Sequence, residues 1–183
     1  FTPEELAEAE RSLAHILYTA LDFWLEAKPH RPVFKPYVTP TRKLLGCNPD
    51  SVYYFAPISD DRSYRVTGNL AAATFTSITV ERGSQEGHAA RGSTAAISDL
   101  EMEVAGDGSY EIIASPEPPP RHWLRLEPDA GSITTRHYWE RVQSPQCDPT
   151  FHVPLVIEPV EDPGPAPPMD DVAIAAGIQR VIN

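Results

Sequence analysis

The segment ITTRHYWE, residues 133–140, alternates two sets of side chains along its length. Successive side chains of a β-strand point to opposite faces of a sheet, so the pattern predicts a strand with His137 on one face and Arg136 and Tyr138 on the other. One of these faces must cover the core. An arginine on the buried face would need a carboxylate partner, because an unpaired charge is costly to bury.

Further short strands are predicted on both sides of this segment, because β-branched and aromatic residues alternate with polar ones between Gly-, Pro- and Asp-containing turns. Residues 52–56 and 63–67 form one predicted hairpin. Residues 100–104 and 110–114, joined by a Gly-Asp-Gly turn, form a second. The remaining predicted strands cover residues 72–82, 123–126, 132–139 and 153–157.

A helix is predicted at each end of the chain. Thr2 and Glu5 form a capping-box pattern with Pro3 at the first helical position, and Asp170 is the predicted N-cap of a helix over residues 171–182. Each helix carries an apolar stripe, so each must find a surface to cover, either its own sheet or another chain. The stripes comprise Leu6, Leu13, Ile16, Leu17, Ala20 and Trp24 in the first helix, and Val172, Ala175, Ile178 and Ile182 in the second.

These elements predict a mainly β fold: an antiparallel jelly-roll-like β-sandwich with an N-terminal and a C-terminal α-helix. Short alternating strands between Pro- and Gly-rich turns favour a sandwich over a parallel α/β sheet. A chain of 183 residues can bury one core as one domain. Its predicted segments are an amphipathic helix over 1–28, a proline-rich connector over 29–50, a sandwich core over 51–142, a proline-rich segment with a short strand over 143–168, and a helix over 169–183.

The net charge of −11 disfavours nucleic acid and anionic membranes as partners, because an acidic surface repels phosphate groups. The basic cluster at residues 28–43 lies in a proline-interrupted segment that is typical of a solvated linker. No run of about 18 apolar residues predicts a transmembrane helix. No signal peptide is visible, which slightly favours the cytoplasm, but the sequence does not begin with Met and a signal or upstream domain could have been removed.

The sequence carries no signature of a metal or cofactor. It has no His-x-His pair, its six histidines are scattered, and a Gly-x-Ser-x-Gly nucleophile motif is absent. Cys47 and Cys147 are too far apart for a zinc motif and too few for a disulfide framework. Two unpaired cysteines are the favoured interpretation, and a bridge between them in an oxidising compartment is the alternative.

Five short motifs occur along the middle of the chain: GCNPDSVY at 46–53, YRVTGN at 64–69, DGSYEII at 107–113, WLRLEPD at 123–129 and ITTRHY at 133–138. Their order resembles the bacterial family called domain of unknown function 1214, over roughly residues 46 to 141. The resemblance implies a jelly-roll-like sandwich, often found beside domain of unknown function 1254. It implies no settled activity.

A candidate site follows from the polar and aromatic residues on the predicted strands. Sandwich-fold enzymes place acids, or His, Tyr and Arg side chains, on a concave face. Arginine can bind a carboxylate or sugar through paired hydrogen bonds while tyrosines stack on it. Ordinary strand residues with a surface salt bridge are the alternative interpretation. The predicted ligand-binding residues are Tyr54, Arg65, Arg136 and Tyr138, and the candidate catalytic residues are His88, His122 and His137.

We therefore expect a domain that binds a carbohydrate-like or small organic ligand, or a protein partner, without catalysis. The alternative is a hydrolase or lyase acting on a sugar-like or carboxylate substrate, with a His/Tyr/Arg/Glu site in the concavity of the sandwich. A homo-oligomer or a companion chain held through the end helices is a third possibility. The first two differ in the surroundings of the histidines, because a catalytic site needs a titratable group with a partner inside a cleft.

Overall fold

The computed structural model describes residues 1–44, 46, 48–120 and 122–183 of the chain. Within these residues lie two α-helices and nine β-strands. The helices are α1 (Pro3–Trp24) and α2 (Asp171–Ile182). The strands are β1 (Lys35–Pro36), β2 (Ser51–Pro57), β3 (Tyr64–Asn69), β4 (Phe75–Arg82), β5 (Gly92–Ser98), β6 (Ser109–Ser115), β7 (Trp123–Arg125), β8 (Ala130–Tyr138) and β9 (Leu155–Pro159).

The strands form two sheets. Sheet A has five strands in the order β1-β2-β8-β4-β5, and sheet B has four in the order β7-β6-β3-β9. Every neighbouring pair is antiparallel except β6 and β7, which run parallel. The predicted mainly β sandwich with a helix at each end is confirmed, with this one parallel pair as a departure from the antiparallel pattern.

The main core lies between the two sheets and follows from the alternation along the strands. Ile133 on β8 lies opposite Ala56 on β2 and Val80 on β4, and all three are fully buried. Sheet B contributes Val66 and Ile112, which are also fully buried. Burial of a valine or isoleucine side chain is worth roughly 1.5–3 kcal/mol, so this layer fixes which face of each strand points inward.

The alternation predicted for residues 133–140 is present in β8. His137 and Trp139 are buried on the core side of sheet A. Arg136 and Tyr138 lie on its outer face, where both remain partly exposed. The arginine therefore escapes the cost of burial inside the sandwich.

The predicted hairpin between residues 52–56 and 63–67 is wrong. β2 pairs with β8 in sheet A, whereas β3 pairs with β6 and β9 in sheet B. The chain crosses between the sheets because Ile58 is buried in the core and its N–H donates to a β8 carbonyl oxygen at 3.0 Å. The Tyr64 hydroxyl then accepts a hydrogen bond from the Ser59 N–H at 2.9 Å, which anchors the start of β3.

The predicted strand at residues 100–104 is also wrong, although the strand predicted after it is confirmed as β6. The N–H and hydroxyl of Ser98 both donate to the Glu101 carboxylate at 2.9 Å, so a tight turn forms where the alternation suggested a strand. Leu100 is 87% exposed, whereas Met102 is buried in the core and Val104 packs against it. The strand in this part of the chain is instead β5, which pairs with β4.

Helix α1 begins as predicted but packs over only part of its length. The Thr2 hydroxyl accepts from the Glu5 N–H at 3.2 Å, while the Glu5 carboxylate accepts from the Thr2 N–H at 2.8 Å. The helix ends at Trp24, before the predicted boundary. Near that end the Phe23 ring stacks on the Phe55 ring of sheet A, with ring centroids 4.6 Å apart.

Helix α2 has the predicted bounds and N-cap, since the Asp170 carboxylate accepts from the Ala173 N–H at 2.8 Å. It crosses the end of α1, where Arg180 Nε donates to the Trp24 carbonyl oxygen at 3.0 Å. Among the described residues, neither helix is long and apolar enough to cross a membrane. Much of both apolar stripes is exposed: Leu6, Leu13, Ile16 and Leu17 in α1, and Val172, Ile178 and Ile182 in α2.

Candidate functional site

The structure brings together only two of the predicted ligand-binding residues, Arg136 and Tyr138, which share the outer face of sheet A. Tyr54 lies on the inner face of the same sheet, where its hydroxyl accepts from the Val153 N–H at 3.2 Å. Arg65 lies on sheet B and forms an exposed ion pair with Glu111 at 3.4 Å. The expected single cluster is therefore absent, because the strands carrying these residues belong to different sheets or face opposite ways.

Of the three candidate catalytic histidines, His137 is a core residue. It is fully buried, with Nδ1 3.2 Å from the Thr76 hydroxyl and Nε2 3.0 Å from the Thr135 hydroxyl. Burial lowers the pKa of His137 to about 4, because the charged imidazolium would lose its hydration. The residue is therefore neutral near pH 7, and it lies in the interior and not in a cleft.

The other two histidines lie in different parts of the fold. His88 is exposed on the loop between β4 and β5. His122 is in a different region, directly before β7. The structure therefore supplies no site that combines the three histidines.

A small cleft lies on the outer face of sheet A, under the connector that precedes β2. We call it the sheet A cleft. Its volume is about 220 Å³. Residues from β2, β4 and β8 form its floor, and residues of the connector form its walls. It is lined by Tyr37, Val38, Leu44, Gly46, Tyr53, Glu81, Thr134, Thr135 and Arg136.

The polar centre of the sheet A cleft is an ion pair between neighbouring strands. Arg136 Nη2 lies 3.5 Å from Glu81 Oε1, and Arg136 Nη1 donates to the Thr79 hydroxyl at 3.1 Å. The Thr134 hydroxyl donates to the same Glu81 oxygen at 2.8 Å. Glu81 is 16% exposed and Arg136 is 39% exposed. Both groups are thus held in place while the guanidinium remains accessible from the cleft.

Tyrosines flank this polar centre. Burial raises the pKa of Tyr37, and the nearby Glu81 carboxylate raises it further, so the phenol stays protonated and can donate a hydrogen bond. Tyr53 and Tyr138 lie edge to face, with their hydroxyl oxygens 3.4 Å apart. The hydrogen bond to Tyr53, followed by burial, raises the pKa of Tyr138. The cleft thus presents the side chains of Tyr37 and Tyr53 beside the Glu81 carboxylate, which accepts hydrogen bonds, and the Arg136 guanidinium, which donates them.

A second cavity of about 540 Å³, which we call the helix chamber, lies beside the sheet A cleft between sheet A, α1 and the end of α2. Tyr37, Leu44 and Glu81 line both spaces. His88 lines the chamber at its edge. The two cavities therefore adjoin, with Glu81 at their boundary.

A wide groove of about 1120 Å³ lies on sheet B. His122 and Glu103 line it, and His122 Nε2 is 3.0 Å from Glu103 Oε2. His122 has a backbone φ of 49°, in the left-handed region that a β-carbon disfavours. The His122 carbonyl oxygen accepts from the Ile113 N–H at 2.9 Å, so the neighbouring strand holds this conformation.

Sequence reasoning missed Glu81, Tyr37 and Tyr53. Glu81 could have been found, because it falls on the outer side of the alternating segment whose inner side carries Ile78 and Val80. Tyr53 follows in the same way from its buried neighbours on β2. Tyr37 lies in the connector, where no periodicity indicated its position.

Side chains of the types that bind metal ions, cysteine included, form no further site among the described residues. Within the part of the chain that the structure describes, no three His, Cys, Asp or Glu side chains lie close enough together to hold a metal ion. Cys147 is exposed. Cys47 lies outside the described residues, so the two interpretations of this pair both stay open.

Comparison with one solved structure supports the fold. The chain is similar to an uncharacterised protein from Burkholderia cenocepacia, with a TM-score of 0.84 and 27% sequence identity over 98% of this chain. A structure from Vibrio parahaemolyticus matches 88% of this chain and 46% of its own, with a TM-score of 0.44 and 14% identity. This chain spans about half of the Burkholderia protein, 49% of its length. Neither a protein-family model nor a curated protein matches the sequence.

Proposed function

We propose that this chain is a non-catalytic binding domain and that the sheet A cleft binds a small polyhydroxylated ligand, such as a single sugar ring. The observation that carries the proposal is the Glu81–Arg136 pair, which is held by Thr134 and Thr79 and flanked by tyrosines. A carboxylate accepts hydrogen bonds and a guanidinium donates them. Together they match two neighbouring hydroxyl groups of a sugar, one donating and one accepting.

Size and surroundings support the same ligand class. Pockets for drug-sized molecules are roughly 300–1,000 Å³. The cleft, at about 220 Å³, is smaller and suits one ring better than a chain. Tyr37 and Tyr53 line the cleft, and aromatic rings provide apolar surface of the kind that sugar C–H groups contact.

The test is a titration followed by two-dimensional NMR, with methyl β-glucoside, methyl β-galactoside and glucuronate as probes. We expect shifts of the amide signals around Glu81 and Arg136 for at least one probe. Arg136→Gln should weaken that binding at least tenfold. Arg65→Gln is the matched control, because it removes an arginine that is also ion-paired to a glutamate but lies on the other sheet. The proposal fails if no probe binds, or if both variants bind equally well.

The sheet B groove favours a second candidate function, hydrolysis of a sugar-like ester. His122 lies 3.0 Å from Glu103 in a groove of about 1120 Å³. In such a reaction His122 would accept a proton from water as the water oxygen bonds to the ester carbon. The ester C–O bond would break, and the proton would pass to the departing alkoxide.

Release of acetate from acetylated glucose tests this candidate. His122→Gln should abolish the activity, whereas His152→Gln, at an exposed position outside the groove, should leave it unchanged. If the unsubstituted protein releases no acetate above the uncatalysed rate, ester hydrolysis is excluded and the binding function stands.

The leucine face of α1 supports association with a second copy of this chain. Leu6, Leu13 and Leu17 are each more than half exposed, which is unusual for leucines aligned on one helix. The first ten residues carry four glutamates and no basic residue, whereas Lys28 and Arg31 follow the other end of the helix. In an antiparallel pair, the acidic end of each helix would lie beside the basic end of its partner.

Light scattering at micromolar concentration tests the association. We expect a dimer that Leu17→Glu converts to a monomer. Leu100→Glu changes a more exposed leucine on a turn away from α1 and should leave the dimer intact. A monomeric unsubstituted chain would contradict the proposal and would leave a companion chain as the occupant of this face.

A further inference from the structure

We propose that the ligand of the sheet A cleft is an amphiphile, with a polyhydroxylated head in the cleft and an apolar tail in the helix chamber. This inference rests on the proposed function. It goes beyond that function by assigning a second, chemically different part of the ligand to a second cavity.

The two cavities adjoin. Tyr37, Leu44 and Glu81 line both of them, so a molecule bound against Glu81 in the cleft lies next to the chamber. The chamber, at about 540 Å³, offers more space than the cleft, at about 220 Å³. Because the Glu81–Arg136 pair lies in the cleft, the part of a ligand that extends past Glu81 into the chamber no longer contacts this pair.

The chamber has a largely apolar lining. The lining includes Ile16, Ala20, Phe23, Trp24, Phe55 and Ile182. Phe23 and Phe55 are already stacked and buried, so they provide a firm wall. Such a surface suits an alkyl or aromatic group. Polar residues also line the chamber, but Ser84 and Ser132 hydrogen-bond each other and Arg180 donates to the Trp24 carbonyl oxygen.

Apolar side chains at the rim of the chamber are exposed to solvent. Ile16 is 46% exposed and Ile182 is 71% exposed, although they border a concave space. An apolar tail in the chamber would cover part of this surface, and removing apolar surface from water favours binding. The free protein thus exposes apolar surface at the position where the proposed tail would lie.

The experiment compares methyl β-glucoside with octyl β-glucoside, the latter below its critical micelle concentration, by isothermal titration calorimetry. We expect the octyl compound to bind at least tenfold more tightly. Ala89→Trp should remove this advantage without changing the affinity for the methyl compound, because Ala89 lies at the exposed edge of the chamber and not in the cleft. Arg136→Gln should weaken both.

The outcomes separate the two proposals. If the methyl compound binds and the octyl compound binds no better, the inference about the tail is overturned and the proposed function stands. If neither binds, both fall. Tight octyl binding that Arg136→Gln leaves unchanged would overturn the polar head. An octyl advantage that survives Ala89→Trp would overturn the chamber as its site. Flotation with phosphatidylcholine vesicles, with and without a glucosyl diacylglycerol, distinguishes a bilayer lipid from a dissolved glycoside as the source.

Discussion

Gly177 of α2 lies against the carbonyl oxygen of Leu25 so closely that a methyl group built on it would overlap that oxygen. The contact brings the end of α2 onto the end of α1, where Arg180 donates to the Trp24 carbonyl oxygen. The last carbonyl groups of a helix have no hydrogen-bond donor within that helix. Arg180 of α2 therefore supplies a donor to one of these carbonyl groups of α1. Glycine at this position therefore allows the two helices to pack closely, and it is not needed for a turn.

Gly177→Ala should destabilise the protein, although alanine favours an isolated helix over glycine by about 1 kcal/mol. The reason is that the added methyl group would push α2 off the Leu25 carbonyl. Ala176→Gly is the matched control, since it changes an exposed neighbour on the same helix and should cost only the propensity difference. Urea denaturation measures both. A Gly177→Ala protein more stable than the unsubstituted one would show that the two helices do not pack this closely.

The free energy of unfolding should fall in mild acid because His137 is buried in its neutral form. Its folded-state pKa is about 4, below the usual value of 6.5, because of burial. The unfolded chain therefore binds one more proton between these pH values. The contribution of the neutral histidine is fully present above pH 6.5 and is lost as the pH falls towards 4, by about 3 kcal/mol.

His137→Leu should flatten this part of the pH profile, even though its stability at pH 7 will drop because Thr76 and Thr135 lose their partner. His152→Gln, at an exposed position, should leave the slope unchanged. The free energy of unfolding is measured by urea titration at steps from pH 7 to pH 4. Parallel profiles for His137→Leu and the unsubstituted chain would contradict the assignment.

Features that depend on residues close together in the chain could be predicted from the sequence, whereas features that depend on distant residues could not. The Thr2–Glu5 cap and the alternation along β8 depend on neighbours in the chain, and both were predicted. The sheet to which β3 belongs depends on where Ile58 is buried, which no local pattern reveals. The candidate site is similar. Arg136 was predicted to share a face with Tyr138, but which face covers the core stayed open, and its partner Glu81 comes from another strand through sheet pairing.

Two buried tyrosines should respond differently to loss of the hydroxyl group. The Tyr64 hydroxyl donates to the Pro29 carbonyl oxygen and accepts from the Ser59 N–H, both at 2.9 Å. The Tyr110 hydroxyl is buried with no hydrogen-bond partner among the described residues. Tyr64→Phe should cost about 1–2 kcal/mol, whereas Tyr110→Phe should be neutral or stabilising, because it removes an unsatisfied polar group. Equal losses in urea denaturation would contradict this difference.

Asp22 should matter more than other acidic residues of α1, because it pairs with a buried arginine. Arg42 is 3% exposed, lies 2.5 Å from an Asp22 oxygen, and has its guanidinium over the rings of Tyr18 and Phe23. Burial acts to raise the pKa of Asp22, but Arg42 and Lys35 outweigh it and lower that pKa. Asp22→Asn would leave the Arg42 charge buried without its carboxylate.

The expected loss for Asp22→Asn is on the order of 2 kcal/mol, below the value for a fully buried pair because the Asp22 side chain is 33% exposed to screening by water. Glu8→Gln breaks an ion pair with Arg11 on the same helix, but both of its partners are largely exposed, so little change is expected. Urea denaturation of the two variants side by side gives the comparison. If Asp22→Asn is no less stable than Glu8→Gln, then Arg42 does not depend on Asp22, and its contacts with the two aromatic rings and the Pro36 carbonyl oxygen suffice to hold it.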